Sequence, residues 1–234
     1  MKRLAVALFG VFSASTSGCL TTPASATGAT ADARALSIPS CPDGSGKVED
    51  AEDHDGRIHR VDGRGGYWFT FVDQEGSTVK PTSPFMMADG GPEGSRAAAR
   101  VSGTIAGSGA SLYAGMGFKL LEGPGTYDAS RFQGIRFKAK GPGKVRFEIP
   151  DGNTAPEGGV CTACYNDFGV ALAFTDQWET YTVSFDDLAQ QPGWGDRQPE
   201  IDKSRLISVE WQFGSAGRDF DIWVDEIELV GCEE

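Results

Sequence analysis

Residues 131–152 read RFQGIRFKAKGPGKVRFEIPDG. In the first half Ile135, Phe137 and Ala139 alternate with Arg136, Lys138 and Lys140. In the second, Val145, Phe147 and Ile149 alternate with Arg146 and Glu148. A period of two puts the apolar side chains on one face of a pleated strand and the charges on the other. Gly141-Pro142-Gly143 interrupts the pattern as a turn between strands does. The same alternation runs through WETYTVSF at 178–185, LISVEWQF at 206–213 and FDIWVDEIEL at 220–229, where the phase shifts near Asp225. YWFTF at 67–71, after Gly65-Gly66, adds an aromatic strand. Helical periodicity is almost absent, apart from a possible single turn at 185–188, and no internal repeat is evident. The pattern predicts an all-β domain, a β-sandwich of the jelly-roll type. Trp211 keeps the apolar phase and Trp178 opens a strand, so both are expected in the core. Trp68 and Trp223 are out of phase with their apolar neighbours and have no assigned face.

Composition agrees. The chain has 234 residues with 32 Gly and 12 Pro, the mark of many turns. Its 21 Lys and Arg against 33 Asp and Glu leave a net charge of −12. Such a field repels phosphate backbones and excludes nucleic acid as a natural partner. No apolar run reaches the roughly 18 residues that span a bilayer. The N-terminus instead carries Lys2 and Arg3, the apolar run LAVALFGVF at 4–12, and then small residues, which is a secretory signal. Thr16-Ser17-Gly18-Cys19 resembles a bacterial lipobox, with Thr16 where Leu is usual. Residues 1–19 are thus expected to be a signal peptide ending at a lipidated Cys19, and Leu20 rather than Asp favours the outer membrane or cell surface. Ala24-Ser25-Ala26 offers a second cleavage site for an unlipidated, secreted form. The Thr/Ala/Ser-rich segment 20–40 reads as a flexible tether. Residues 41–232 are left as a single domain. Within it, the Gly- and Ala-rich segment 81–118 has the least defined strands.

Removing Cys19 leaves four cysteines, an even number in an exported chain, which implies disulfides. Cys41 opens the domain and Cys232 closes it, so one bond would staple a sandwich whose ends lie on adjacent strands. Cys161 and Cys164 form C-x-x-C within GGVCTACYNDFG. A local disulfide, a metal site and a redox pair all fit that spacing. The metal reading lacks partners beyond His54 and His59, and the redox reading lacks a βαβ setting.

The stretch KVEDAEDHDGRIHRVDGRGGYWFTFVDQEGSTVKP at 47–81 has an acidic cluster, an aromatic strand and a turn. It is matched near the end of the chain by W-x-x-Y-x-V-x-F-x-D-L at 178–188, Gly193-Trp194-Gly195, and FDIWVDEIEL at 220–229. Taken in order, these resemble the galactose-binding-like jelly rolls, notably the family 11 carbohydrate-binding modules, over about residues 47–230. The C-x-x-C loop is not part of that pattern. The resemblance implies a structural calcium ion tying the first strand to the last, with Glu52 and Asp225 at the matching positions and Ala51 where the pattern has Phe. Calcium favours hard oxygen ligands of this kind. The rival reading is a solvated acidic loop of Glu49, Asp50, Glu52, Asp53 and Asp55.

The resemblance also implies a sugar-binding face on the sheet surface turned away from the core. Pyranose rings stack on aromatic side chains, and their hydroxyls pair with carboxylates, amides and guanidinium groups. Strand alternation nominates Arg146, Glu148, Glu210 and Gln212. Tyr165 and Asp167, beside the C-x-x-C, and Trp194, between two glycines, are candidates for the rim. The expected function is non-catalytic binding of a polysaccharide or oligosaccharide by a surface-anchored module, which meets the membrane through its lipid anchor alone. An envelope structural or protein-interaction module is the first alternative. A small glycan-active hydrolase using Glu148 and Glu210 is the second. The E-x-D-x-x-E strand signature, G-x-S-x-G and H-E-x-x-H are all absent, so the chain reads as a binder rather than an enzyme.

Overall fold

The computed structural model describes residues 37–232, apart from 110, 142 and 215–217. The signal segment, Cys19 and the tether up to residue 36 lie outside the described residues. The strands are β1 (Lys47–Glu49), β2 (Trp68–Val72), β3 (Thr78–Lys80), β4 (Ala88–Asp89), β5 (Ala97–Ile105), β6 (Ala114–Lys119), β7 (Gly134–Lys140), β8 (Gly143–Ile149), β9 (Phe168–Phe174), β10 (Glu179–Ser184), β11 (Ser208–Phe213) and β12 (Arg218–Val230). Two antiparallel sheets face each other. One runs β10-β7-β12-β5-β3, with β1 joined to β12 and β4 to β5; the other runs β2-β6-β11-β8-β9. This is the expected jelly-roll sandwich.

The six alternating runs became β2, β7, β8, β10, β11 and β12. The two halves of 131–152 are neighbours in sequence yet belong to opposite sheets. Gly141 and Gly143, at φ of 138° and 121°, carry the chain from one sheet to the other in a conformation that side chains rarely adopt. β5 and β6 arise from the poorly defined 81–118 segment. Their sequences, AAARVSGTI and AGMGFK, are too rich in Ala and Gly to show a clear polar–apolar alternation.

The core is an aromatic layer between the sheets. Trp211 is fully buried. Its indole meets Phe137 of the facing sheet edge-on at 5.2 Å, Phe147 at 5.6 Å, Phe118 at 6.0 Å, and stacks on Trp68 at 5.9 Å. Phe137 in turn stacks on Tyr181 at 5.8 Å. Such edge-to-face and offset pairs add to the burial of area alone. Trp68 is thereby a core residue. Trp223 is not: it lies half-buried on the outer face of its sheet, between the Arg100 guanidinium at 4.5 Å and the Lys140 ammonium at 4.8 Å. Trp178 departs from expectation as well. It shares the outward phase of Thr180 and sits half-buried under Lys140 at 5.0 Å, outside the core.

The phase shift near Asp225 is a β-bulge. The β7–β12 register slips between Asp225 and Glu228, and Glu226 takes φ of 49°. The extra residue lets Val224, Asp225 and Ile227 all be buried. Cys41 and Cys232 form a disulfide across 191 residues, with Cα atoms 5.5 Å apart, and Cys161–Cys164 form a second at 5.2 Å. Both disulfides fit an oxidising compartment. The folded unit begins slightly before Cys41. Ser40 bridges to Val230, Gly231 N–H donates to the Pro39 carbonyl, and Arg136 donates to the Ile38 carbonyl.

Replacing Cys41 and Cys232 together by Ser is expected to lower stability by up to about 5 kcal/mol, the chain-entropy value for so long a loop. A urea titration of the variant against wild type, both non-reduced, measures it.

Candidate ligand-binding groove

The pleat that sends Trp68 and Trp211 inward sends their strand neighbours outward. On the outer surface of the β2-β6-β11-β8-β9 sheet, this alternation builds a groove of about 900 Å³. Phe69 and Phe71 of β2, with Tyr113, form one aromatic wall, the rings spaced 6.2 Å apart along the row. Next comes β6, where Gly115 and Gly117 occupy the outward positions opposite Phe71 and Phe69. A Cβ on Gly115 would lie 2.6 Å from the Phe71 ring, and one on Gly117 would lie 2.7 Å from Glu210 Cγ. These bare positions form a trough beside the aromatic wall. Beyond it, Glu210 and Gln212 of β11 face Glu148 and Arg146 of β8 in register.

The seven residues nominated from sequence, Arg146, Glu148, Tyr165, Asp167, Trp194, Glu210 and Gln212, all line this one groove. Two loops bring in the last three aromatic and acidic members. Tyr165 follows the Cys161–Cys164 disulfide in a left-handed conformation, φ 75°, and its ring is two-thirds exposed. Tyr165 N–H donates to the Thr154 carbonyl at 2.8 Å. The side chain of Asn166 donates to the carbonyls of Gln191 and Trp194, at 2.8 and 2.7 Å, and accepts from Gln191 N–H. Asp196 reaches back to accept from the N–H groups of Thr162 and Ala163. The disulfide loop and the Trp194 loop are therefore laced into one rim. Gly195, φ 72°, passes so close to Asn166 that a Cβ would meet Asn166 Cβ at 2.5 Å.

The charges on the groove floor are unusual. Glu148 is buried and pairs with Arg146 Nε at 2.8 Å. Burial nevertheless pushes its carboxyl up to about 8, against the pull of Arg146 and with the repulsion of Asp167 and Glu210. Burial likewise raises Glu210 to about 7, although its carboxylate accepts from the Ser208 hydroxyl at 2.7 Å. Asp167 rises to about 6, again through burial. Arg146 also donates to the carbonyls of Asp167 and Ala189, both at 3.0 Å, and so clamps β8 to the rim loops.

Sequence reasoning missed Phe69, Phe71, Tyr113, Lys119 and the two trough glycines. Phe69 and Phe71 were legible as the face opposite Trp68. Gly115 and Gly117 carry no pattern, and their role depends on which strands flank β6.

The two residues matched to a calcium site lie near each other around Ser95. Glu52 accepts from the Ser95 hydroxyl at 3.0 Å, from Arg96 N–H at 2.6 Å and from Arg96 Nε at 2.8 Å. The Arg96 N–H, the Arg96 side chain and Ser95 hold its carboxyl down at about 2. Asp225 is fully buried, and neither carboxylate oxygen has a hydrogen-bond partner among the described residues. Burial raises it to about 6, with Ser95 pulling the other way. Glu49 is occupied internally, by Asp50 and Ala51 N–H and by Trp68 Nε1 at 3.1 Å. Asp50 is taken by Lys47 and His59.

No protein-family model matches the sequence, and no curated protein matches it. Solved structures do match the fold. The family 11 carbohydrate-binding module of cellulosomal cellulase Lic26A-Cel5E of Clostridium thermocellum superposes at a TM-score of 0.50 with 20% identity, over 71% of this chain and 89% of that one. A family 11 module from Clostridium thermocellum in complex with a β-1,3-1,4-mixed-linked tetrasaccharide gives 0.50 and 17%, over 71% and 90%. A family 30 carbohydrate-binding module gives 0.52 and 14%, over 80% and 99%. At these identities the likeness establishes the jelly-roll fold.

The raised carboxyls have a consequence for stability. The native groove keeps protons that the unfolded chain releases above the ordinary 4.5 of Glu148. Between there and about 8, stability therefore falls as pH rises. The melting temperature is expected to decline across this window, and Glu148→Gln with Glu210→Gln to flatten the decline. Melting curves at several pH values check it; an unchanged slope in the double variant removes these groups as its source.

Proposed function

We propose that this domain is a non-catalytic carbohydrate-binding module that seats a glycan chain along the groove. The observation that carries the reading is the cross-section of the groove. An aromatic wall, a bare glycine trough and a ladder of Glu, Gln and Arg lie side by side on one open sheet face, with Trp194 and Tyr165 at the rim. Aromatic rings meet the C–H faces of pyranoses, and the ladder meets their hydroxyls. The Gln212 side chain forms no hydrogen bond among the described residues, which leaves its amide for a ligand. A protein-docking surface would be depleted of charge at its centre, where this floor carries Arg146, Glu148 and Glu210. The hydrolase alternative would use Glu148 and Glu210, which stand opposite each other on adjacent strands, but no sequence signature of a catalytic carboxylate pair accompanies them.

We also propose a structural calcium ion at Asp225, at which Glu52 would have to give up its contacts with Ser95 and Arg96. Asp225 presents two buried, unpartnered oxygens, and Glu52 is joined to the same locus through Ser95. Asp225 and Glu52 would hold the ion, which would supply the positive charge that Asp225 lacks and tie the segment after β1 to β12. An exported, lipid-anchored context at Cys19 would place the groove at the cell surface.

Screening the purified protein on a glycan array and by affinity gel tests the main reading. Trp194→Ala is expected to weaken the bound glycan by about tenfold, the size of one ring contact. Absence of binding to every glycan overturns the reading. For the ion, the melting point should rise in calcium relative to chelator, and Asp225→Asn should remove the difference. Equal midpoints for wild type exclude a structural calcium. Fatty-acid labelling of wild type but not of Cys19→Ala would support the anchor.

A further inference from the structure

Six charged side chains line the groove, and they do not balance. Lys119 of β6 pairs with Glu157 at 2.8 Å, and Arg146 pairs with Glu148 at 2.8 Å. Among the described residues Asp167 and Glu210 form no ion pair, although Arg146 and Lys119, each already paired, lie close enough to favour their ionised forms. Behind Asp167 lies a further acid, Asp151, which is buried and occupied by the N–H groups of Asn153, Thr154 and Asp202. Asp167 is itself more than nine-tenths buried, and its Oδ1 has no hydrogen-bond partner among the described residues. A buried carboxylate oxygen that borders a groove without a donor is costly unless a ligand supplies one.

Resting on the carbohydrate-binding reading, we infer that the groove selects glycans bearing ammonium groups, the amino sugars, over neutral glycans, and that it rejects acidic ones. The ammonium of a glucosamine unit offers three donors and a charge to Asp167 and Glu210, while Tyr165 and Trp194 cover the ring. Tetragalacturonate would bring carboxylates against two carboxyls that have no ion-pair partner among the described residues, on a chain whose net charge is already −12. Burial raises the proton affinities of Glu148, Glu210 and Asp167, so each carboxyl would gain from a cation brought into the groove. An ammonium ligand would ionise these groups and release protons on binding.

Titration calorimetry on the full protein tests this with four tetrasaccharides: β-1,4-linked glucosamine, its N-acetylated counterpart, cellotetraose and tetragalacturonate. The first three share one backbone geometry, so they isolate the charge. The glucosamine tetramer is expected to bind at least about tenfold more tightly than its N-acetylated form, the size of a charged hydrogen bond. Tetragalacturonate should not bind. The preference should shrink in high salt and in Asp167→Asn and Glu210→Gln, and proton release should be visible across buffers of different ionisation enthalpy. The salt series on wild type keeps the test valid if a variant fails to fold. Equal or tighter binding of the acetylated or neutral tetramer overturns the inference and leaves the carbohydrate-binding reading standing. Binding of none of the four, with other glycans binding on the array, does the same. Absence of binding to any glycan at all overturns both.

Discussion

The indole of Trp211 is the contact on which the rest of the molecule depends. It touches Phe137 across the sandwich and Trp68, Phe118 and Phe147 within its own sheet. β11 is the middle strand of that sheet. Because the side-chain period of a strand is two, burying Trp211 obliges Glu210 and Gln212 to stand on the opposite surface. The same rule, applied through Phe147 and Trp68, delivers Arg146 and Glu148 on one side and Phe69 and Phe71 on the other. The binding face is thus the reverse of the core, set by the same registers. A slip of one residue would lose both together.

The floor of the groove works against this stability. Burial of Glu148, Glu210 and Asp167 is unfavourable for their ionised forms, and one cation, Arg146, is shared among several acceptors. The fold tolerates this because the core beneath is densely aromatic and because the rim is cross-linked. The Cys161–Cys164 disulfide and the Asn166 and Asp196 networks hold Tyr165 and Trp194 in place without a packed core under them. A rim arranged before a ligand arrives loses less conformational freedom on binding.

The first and last of the described segments meet on β12. β1 pairs with it, Ser40 bridges to it, and the Cys41–Cys232 disulfide closes just beyond it. The bulge at Glu226 turns Asp225 into this junction, where it is buried with no ion-pair partner among the described residues. It is one of several buried acids in the molecule whose surroundings call for a positive partner.

The alternation of residues 131–152, 178–185, 206–213 and 220–229 by itself determined β7, β8, β10, β11 and β12, the sandwich class and the polar face of those strands. It was enough to nominate Arg146, Glu148, Glu210 and Gln212, because strand phase is a local property set by backbone geometry; Tyr165, Asp167 and Trp194 were legible instead from the C-x-x-C loop and from the glycines beside Trp194. Even the slip at Asp225 could be read, as a break in that phase. Other features had no local signature. The outward turn of Trp178 depended on where β10 begins, and the burial of Trp68 on the strands that flank it. Gly115 and Gly117 became a trough only because β6 lies between β2 and β11. The charge imbalance at Asp167 and Glu210 followed from Lys119 and Arg146 being drawn to Glu157 and Glu148, residues brought together from separate strands and loops. Such features depend on contacts between segments far apart in the chain, and these exist only once the sheets have assembled.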